Sequence, residues 1–428
     1  MHGTRPQPRP TMPTLHHTRH ILPALTSMAA AALLAAVSLP ASAQFITSDR
    51  TVANGNPLNG NYIGQSVIVG ASSIVNGVVT RVANVQVDVV APARFSYSDQ
   101  TGGGLGAYSN SVVRVAGGTF DQISPTGFGG GVSLSDTAQG FINGGTLRSL
   151  ALAGAAPGAA GARATVSGGL IENGLAAVGY VTNGTLTVSG GTLRAQGSQS
   201  GIAGGAGSVI TLMGGLVQSI QGAAVYLDSD SALSMVGSTV TGGAGGGAQW
   251  GVRLQSVTST ATLQGGTVNG GLRADANNSV LTPQATLGGA ITMNGGVFAY
   301  GNAAVNVTGG SYTRFADADA SFFAMGTNTI NFFGTGLALS VAVAGQVFET
   351  NNYLGNFYTF TSGTFSDGQS AVGLRLFDAV SVAGNNLPGG FTLNPSPVPE
   401  PATWLLMLLA LPAVAATVRR RRTVCPRF

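Results

Sequence analysis

Histidine, cysteine and lysine are almost absent from this chain of 428 residues. Lysine does not occur, the single cysteine is Cys425, and the four histidines all lie near the start: His2, His16, His17 and His20. Residues 44–398 therefore lack the side chains of a Ser-His-Asp triad, a cysteine nucleophile, a lysine base or an ordinary zinc or copper site. We predict that this body is not an enzyme, holds no metal or cofactor, and has no disulfide bond.

Charge is scarce as well, because only 8% of the residues are charged. The formal net charge is +4, but eight of the 19 arginines lie in the two terminal segments. Residues 44–398 hold 11 arginines against 14 acidic residues, which gives a net charge of −3. Such a body offers no basic patch for nucleic acid. Because 44% of the chain is apolar and this apolarity is periodic, we expect a folded, β-rich body.

A short motif, typified by Thr185–Leu193 (TLTVSGGTL), recurs nine times between Val113 and Tyr312. Each copy has an apolar residue two positions before its first glycine and another three positions after it. A second glycine follows in every copy except one, where Ser238 replaces it. The first glycines are Gly117, Gly144, Gly168, Gly190, Gly214, Gly237, Gly265, Gly295 and Gly309. Repetition at this spacing is typical of a stacked repeat protein.

Each copy predicts a strand, a tight turn and a second strand. Side chains alternate along a strand, so Leu186 and Val188 share one face, and the glycine pair allows positive φ without a Cβ clash. A further strand precedes several copies by about twelve residues: Val132 and Leu134, Val178 and Tyr180, Val225 and Leu227, Val252 and Leu254. Strands with one apolar face bury it by stacking. We therefore predict an all-β fold, a single-stranded right-handed parallel β-helix with β-rich caps.

The spacing of the motif divides the body into three parts. Residues 113–312 form the repeats, 44–112 the N-terminal cap and first coils, and 313–393 a C-terminal β cap that covers the exposed edge. The alternative for residues 44–112 is a separate small β domain. Successive motifs are 27, 24, 22, 24, 23, 28, 30 and 14 residues apart. The last spacing is too short for a full coil.

Residues 1–43 have the pattern of a secretory signal peptide. Three arginines precede the apolar, alanine-rich stretch Ile21–Leu39, and Ala41 and Ala43 form a small-x-small cleavage site. The alternative is a buried N-terminal helix, which Pro23 and Pro40 on either side of the apolar stretch disfavour.

The other end combines three signals in a fixed order. Residues 394–401 form a proline-spaced linker that ends in Val398, Pro399, Glu400 and Pro401. An uncharged apolar segment, residues 402–418, follows as a predicted transmembrane helix, barely long enough for a bilayer. The basic tail, residues 419–428, begins with Arg419, Arg420, Arg421 and Arg422, which would stop transfer and remain cytoplasmic.

This order resembles the PEP-CTERM sorting signal of Gram-negative bacteria. The resemblance implies that an exosortase, a membrane protease, recognises Pro399–Pro401 and removes the tail. It also implies an association with exopolysaccharide. The predicted partners are therefore an exosortase-type enzyme, the membrane before processing, and a polysaccharide. The alternative for the same residues is a plain single-pass anchor.

Few residues of the body are candidates for chemistry. Asp228 and Asp230 are two apart, as are Asp317 and Asp319, so each pair would share a strand face and could serve a glycosidase or a calcium site. A solvated face is the simpler interpretation. Arg253 and Arg273 could act as bases in a β-helical polysaccharide lyase, although no acidic cluster accompanies them in the sequence.

The sequence is compatible with two functions. The first is an exported, non-catalytic structural or adhesive protein of the envelope or polysaccharide matrix. The second is a carbohydrate-active β-helix, either a lyase or a hydrolase. Catalysis on such a fold needs at least three outward polar or charged residues stacked in adjacent coils, and this geometric requirement separates the two.

Overall fold

The computed structural model describes residues 43–75, 78–97, 104–122, 131–154, 161–173, 177–243, 250–255, 258–276, 282–315, 319–340, 343–347, 353–380 and 390–395. Within these ranges all regular secondary structure is β-strand, and no helix occurs. In each coil the chain contributes one strand to each of three sheets and then continues into the next coil.

The strands are grouped here by sheet. Sheet 1 contains Gln44–Ile46, Val67–Val69, Leu105–Ala107, Val132–Ser135, Leu150–Ala153, Gly179–Thr182, Ile202–Gly204, Val225–Leu227, Val252–Leu254, Leu272–Ala276, Val297–Gly301, Phe322–Met325 and Arg375–Val380. Sheet 2 contains Gln86–Val89, Val112–Val115, Gln139–Ile142, Arg163–Val166, Thr185–Val188, Val209–Leu212, Ala232–Met235, Ala304–Val307, Thr329–Leu339 and Gly390–Pro395. Sheet 3 contains Asn61–Ile63, Arg94–Tyr97, Thr119–Gln122, Thr146–Leu147, Leu170–Asn173, Thr192–Ala195, Leu216–Ser219, Thr239–Thr241 and Ser311–Tyr312.

Six strands complete the set. Thr260–Asn269 and Gln284–Asn294 each run from sheet 2 into sheet 3 without a break. Ala71–Val75 and Val78–Arg81 form an antiparallel hairpin near the first coils. The remaining two, Val343–Val347 and Tyr353–Phe365, belong to the C-terminal end.

The repeated motif supplies one strand to sheet 2 and one to sheet 3. Thr185–Val188 pairs in parallel with Arg163–Val166 of the preceding coil and with Val209–Leu212 of the following coil. Thr192–Ala195 lies between its equivalents in sheet 3 in the same way. The predicted parallel β-solenoid is therefore confirmed, with about ten coils and three strands per coil.

The apolar positions of the motif line a single continuous core. Residues two positions before the first glycine, from Val115 to Val307, are fully buried. Residues three positions after it are at most 8% exposed. The inward assignment is therefore confirmed except at two positions in sheet 1. Phe298 pairs with Arg273 and is buried in a separate cluster on the outer face. Tyr180 lies half-buried on the outer face, because the strand begins at Gly179 and Val181 points inward.

Glycine is required at the paired positions for two reasons: successive coils lie too close together for a Cβ atom, and the second glycine has a positive φ. Gly191 has a φ of 77°, and a Cβ on it would lie 2.8 Å from the backbone of Gly168 in the coil below. Gly215 has a φ of 80°, and a Cβ there would lie 2.7 Å from the carbonyl oxygen of Gly191. The glycines thus form a close-packed ridge where sheet 2 turns into sheet 3.

One motif copy predicted from the sequence is wrong. Leu263 pairs with Leu287, so the glycine two positions after the apolar residue in the next coil is Gly289, not Gly295. Gly295 and Gly296 instead stack on Gly270 and Gly271, where sheet 3 turns into sheet 1.

With Gly289 in this position, the spacings of 30 and 14 residues become 24 and 20. The short spacing therefore disappears, and every coil in this region has a similar length. A glycine pair between two apolar residues marks either corner of the coil, so the motif alone does not distinguish them.

Aromatic side chains fill the core at both ends of the solenoid. At the N-terminal end the rings of Tyr62, Phe95 and Phe120 stack with centroids 4.8 and 4.4 Å apart. At the C-terminal end the ring of Phe332 packs edge-on against Phe322 and Phe360. Large rings fill the space that a following coil would otherwise occupy.

The C-terminal end changes from parallel to antiparallel pairing. Tyr353–Phe365 runs antiparallel to Arg375–Val380 in sheet 1 and to Thr329–Leu339 in sheet 2. Val343–Val347 adds a further antiparallel strand. These strands cover the last parallel edge of sheet 1, whereas in sheet 2 Gly390–Pro395 adds one more parallel strand beside Thr329–Leu339.

The two predicted terminal helices lie outside the described residues. This applies to the signal segment up to Ser42, to Val398–Pro401, to residues 402–418 and to Arg419–Arg422. In the ranges that the structure does describe, no helix is long and apolar enough to span a bilayer. Ala43 is described and directly precedes the first strand.

Replacing a core residue should distinguish inward from outward positions. Leu212→Asp places a carboxylate in the fully buried core, so we expect a loss of about 3–5 kcal/mol in the free energy of unfolding. Thr211→Asp, on the outer face of the same strand, should cost less than about 1 kcal/mol. Chemical denaturation of both variants measures the difference, and equal losses would contradict the inward assignment.

Candidate functional site

The outer face of sheet 1 carries a row of large and charged side chains in consecutive coils. Tyr226, Arg253 and Arg273 are direct neighbours in the parallel register. Phe298, Phe323 and Phe377 continue the row. In the preceding coils the same row holds small residues such as Ala151 and Ala203, with Tyr180 between them. The unbroken run of large side chains is therefore a local feature of six coils rather than a property of the repeat.

Asp275 joins the two arginines into one cluster. Arg273 Nε lies 2.6 and 2.7 Å from the two carboxylate oxygens of Asp275. Arg253 Nη2 lies 3.2 Å from Asp275 Oδ2, on the neighbouring coil. The carboxylate is 2% exposed, whereas the side chains of Arg253 and Arg273 are 25% and 27% exposed. The cluster therefore carries one net positive charge and presents it at the surface.

Aromatic rings surround Arg273. Its guanidinium carbon lies 5.6 Å from the ring centroid of Trp250 and 5.2 Å from that of Phe298. Trp250 is tilted against Phe298 and meets Phe315 edge-on, with centroids 5.8 and 5.9 Å apart. Cation–π attraction and ring packing thus fix the orientation of the guanidinium.

Three buried polar atoms beside this cluster have no hydrogen-bond partner in the described part of the chain: Tyr226 Oη, Trp250 Nε1 and Gln255 Oε1. Burial, helped by the nearby Asp228, raises the pKa of Tyr226 far above its usual range, so its hydroxyl remains protonated. These donors and this acceptor are enclosed beneath the surface, so a hydroxyl-rich ligand would reach them only after the covering side chains moved.

The connections that lead into sheet 1 differ in length from coil to coil. The connections from sheet 3 to sheet 1 vary in length, from the tight turn at Gly270–Gly271 to the long segment between Thr241 and Val252. Trp250 lies at the end of that long segment, immediately before its strand. A rigid sheet flanked by variable loops is a common setting for binding sites.

The sequence identified the two arginines but not the acidic partner. Alternation along Leu272–Ala276 places Asp275 on the same face as Arg273, and this alternation can be read from the sequence. What the sequence could not supply was the register that brings Arg253 beside Arg273.

The prediction that Asp228 and Asp230 share a strand face is wrong. The strand ends at Leu227, and both residues lie in the turn between sheets 1 and 2. Asp230 has a φ of 52°, and Asp228 accepts a hydrogen bond from the backbone of Ser229. The pair therefore caps a turn.

The second acidic pair is only partly described. Asp317 lies outside the described residues, and Asp319 forms ion pairs with Arg314 and Arg375. Asp319 is half exposed, and Arg375 lies 4.5 Å from the ring centroid of Phe357. Asp319 thus links Arg314, which follows the strand Ser311–Tyr312, to Arg375 in the last strand of sheet 1.

Two other carboxylates are structural. Arg81 Nε lies 2.7 Å from Asp136 Oδ2, which ties the N-terminal hairpin to the solenoid, and this hydrogen bond lowers the pKa of Asp136. Burial at the C-terminal end of the core raises the pKa of Asp378 to about 6. Because the folded state holds that proton longer, the free energy of unfolding decreases as the pH rises from about 3.8 to about 6.

Among the described residues, no three His, Cys, Asp or Glu side chains come close enough together to hold a metal ion. Comparison with known protein families, with curated proteins and with solved structures found no match for the chain. The properties of the sheet 1 cluster therefore have to be judged from its own chemistry.

The buried position of Asp275 makes it the residue on which the cluster depends. Asp275→Ala leaves two guanidiniums without a counter-charge, so we expect a loss of about 1–3 kcal/mol in the free energy of unfolding. Asp319→Ala is the matched control, since it also removes a carboxylate shared by two arginines but at an exposed site. Its cost should stay below about 1 kcal/mol. Equal costs in denaturant titrations would contradict the structural role of Asp275.

Proposed function

We propose that the body is a non-catalytic structural or adhesive protein that binds a polysaccharide through the outer face of sheet 1. The observation that carries this proposal is the cluster of Arg253, Arg273 and Asp275 beside Trp250. Fixed charge, aromatic rings and three buried polar atoms without described partners coincide there.

The chemistry of the cluster suits a sugar chain. An aromatic ring offers a flat surface for the apolar face of a pyranose, and guanidinium groups donate several hydrogen bonds in a fixed plane. Tyr226 Oη, Trp250 Nε1 and Gln255 Oε1 add two donors and an acceptor within the same area. The single net positive charge favours a sugar that carries a carboxylate or another anionic group.

A carbohydrate-active enzyme remains the second candidate, because Tyr226, Arg253 and Arg273 meet the geometric requirement of three outward residues in adjacent coils. Two features favour binding over catalysis. A guanidinium does not release its proton at neutral pH, which disqualifies it as an ordinary base. Asp275 is buried and bonded to both arginines, which leaves it poorly placed to transfer a proton to a substrate.

The terminal segments support a location outside the cytoplasm. The signal-like residues 1–43 would export the body, and the resemblance of Val398–Pro401, the apolar segment and Arg419–Arg422 to a PEP-CTERM signal implies sorting by an exosortase. In this proposal the chain is anchored only until the tail is removed. The mature protein, about residues 44–400, would then belong to the cell surface or the exopolysaccharide matrix.

A polysaccharide panel tests the binding function and separates it from catalysis. We expect an anionic polysaccharide to bind without cleavage products. Trp250→Ala and Arg273→Gln should each weaken binding about tenfold or more, because each removes a contact worth about 1.4 kcal/mol or more. Arg194→Gln, on the outer face of sheet 3, is the matched control and should bind normally.

Two results would overturn the proposal. Binding that is unaffected by both sheet 1 variants would place the ligand elsewhere. Shortened or unsaturated oligosaccharides that disappear in Arg273→Gln would show that the second candidate is correct.

The tail can be tested separately. Pro399 and Pro401 keep Glu400 extended and accessible just outside the predicted membrane segment. We expect mass spectrometry of the surface-exposed protein, produced in a host with an exosortase, to show that residues 402–428 are missing. Glu400→Ala combined with Pro401→Ala should prevent this processing. An intact tail on most surface molecules, or unchanged processing of the double variant, would contradict it.

A further inference from the structure

The outer face of sheet 2 differs sharply from that of sheet 1. From Thr185–Val188 to Ala304–Val307, six consecutive coils place no charged and no aromatic residue on this outer face. Its central row is in continuous parallel register: Thr187, Thr211, Ser234, Thr262, Thr286 and Asn306. We call this six-coil surface the threonine face.

The side chains of the threonine face are free to meet another surface. The hydroxyls of Thr187, Thr211, Ser234, Thr262 and Thr286 take part in no hydrogen bond with the described residues. Large apolar side chains are exposed at its margins, since Val209 is 45% exposed and both Met213 and Val236 are 49% exposed. Two of these, Met213 and Val236, follow the ends of adjacent strands. The threonine face is therefore an uncharged surface with hydroxyls that lack described partners at its centre and exposed apolar side chains at its margins.

We propose that the threonine face binds the threonine face of a second copy of this chain. Periodicity indicates this partner. Its rows repeat every ~4.8 Å, the spacing of strands in a sheet. A second solenoid has the same repeat, so six rows can interdigitate without losing register. A polymer with another repeat would drift out of register, and without an aromatic ring the face offers no platform for a sugar.

Charge and area fit the same partner. Two uncharged faces meet without burying unpaired charge, and β-branched side chains interdigitate well between packed sheets. Six strands of about four residues each, of which alternate residues face outward, cover roughly 29 by 13 Å, or about 400 Å² on each copy. This is below the area of a stable dimer, so a single contact should be weak and should matter where the protein is concentrated on a surface.

Cross-linking with introduced cysteines tests this proposal in the full chain. In a Cys425→Ser background, Ser234→Cys places a thiol near the centre of the threonine face, where a two-fold axis brings equivalent residues together. Thr239→Cys lies in the same coil but on sheet 3, and both positions are exposed. A bis-maleimide that spans the ~10 Å between packed sheets should yield several-fold more dimer from Ser234→Cys.

A charge variant makes the test decisive. Thr211→Arg, next to Ser234 on the threonine face, should abolish the extra dimer by like-charge repulsion. Gln218→Arg, in the same coil on sheet 3, should leave it unchanged. Equal cross-linking of the two cysteine variants would overturn the proposal. So would a dimer yield insensitive to Thr211→Arg, or a cross-linked product whose mass shows a different protein.

Discussion

The close stacking of coils is the constraint on which this structure depends. At the corner between sheets 2 and 3 the backbone of one coil lies so near the next that a Cβ on Gly168 would lie 2.4 Å from the carbonyl oxygen of Asn143. Glycine is the one residue that fits there, and the second glycine also supplies the positive φ that redirects the chain. This contact permits the parallel pairing of all three sheets, and the pairing in turn buries the apolar ladders.

This constraint explains how much of the fold the sequence could predict. Spacing from the glycines identified the inward residues on either side, because a tight turn fixes the alternation of the strands that flank it. It failed at Gly295, where the same glycine pattern forms a different corner. It failed also at Tyr180, where an extra residue before the strand shifts the alternation by one. Pairing between coils, which places Asp275 beside Arg253, depends on loop lengths that no local pattern encodes.

The outer faces of the three sheets differ in their surface chemistry. Sheet 1 carries the cluster of charge and aromatic rings, and variable loops flank it. Sheet 3 carries scattered ion pairs, such as Arg194 with Glu172. Sheet 2 is uncharged over six coils. We propose that one face binds polysaccharide and another binds a second copy, so that a concentrated layer of the protein would cross-link its matrix. The absence of histidine, lysine and cysteine from the body is consistent with such a structural role.

Binding at sheet 1 is the central claim of this account, and Trp250 offers a direct probe of it. The chain has two tryptophans, Trp250 and Trp404, so Trp404→Phe leaves the cluster with the sole tryptophan emission. Titration with an anionic polysaccharide that binds the protein should change that emission saturably, since the ligand would contact the ring and disturb its neighbour Arg273. The change should disappear in Arg273→Gln. Full binding with unchanged Trp250 emission would contradict the account.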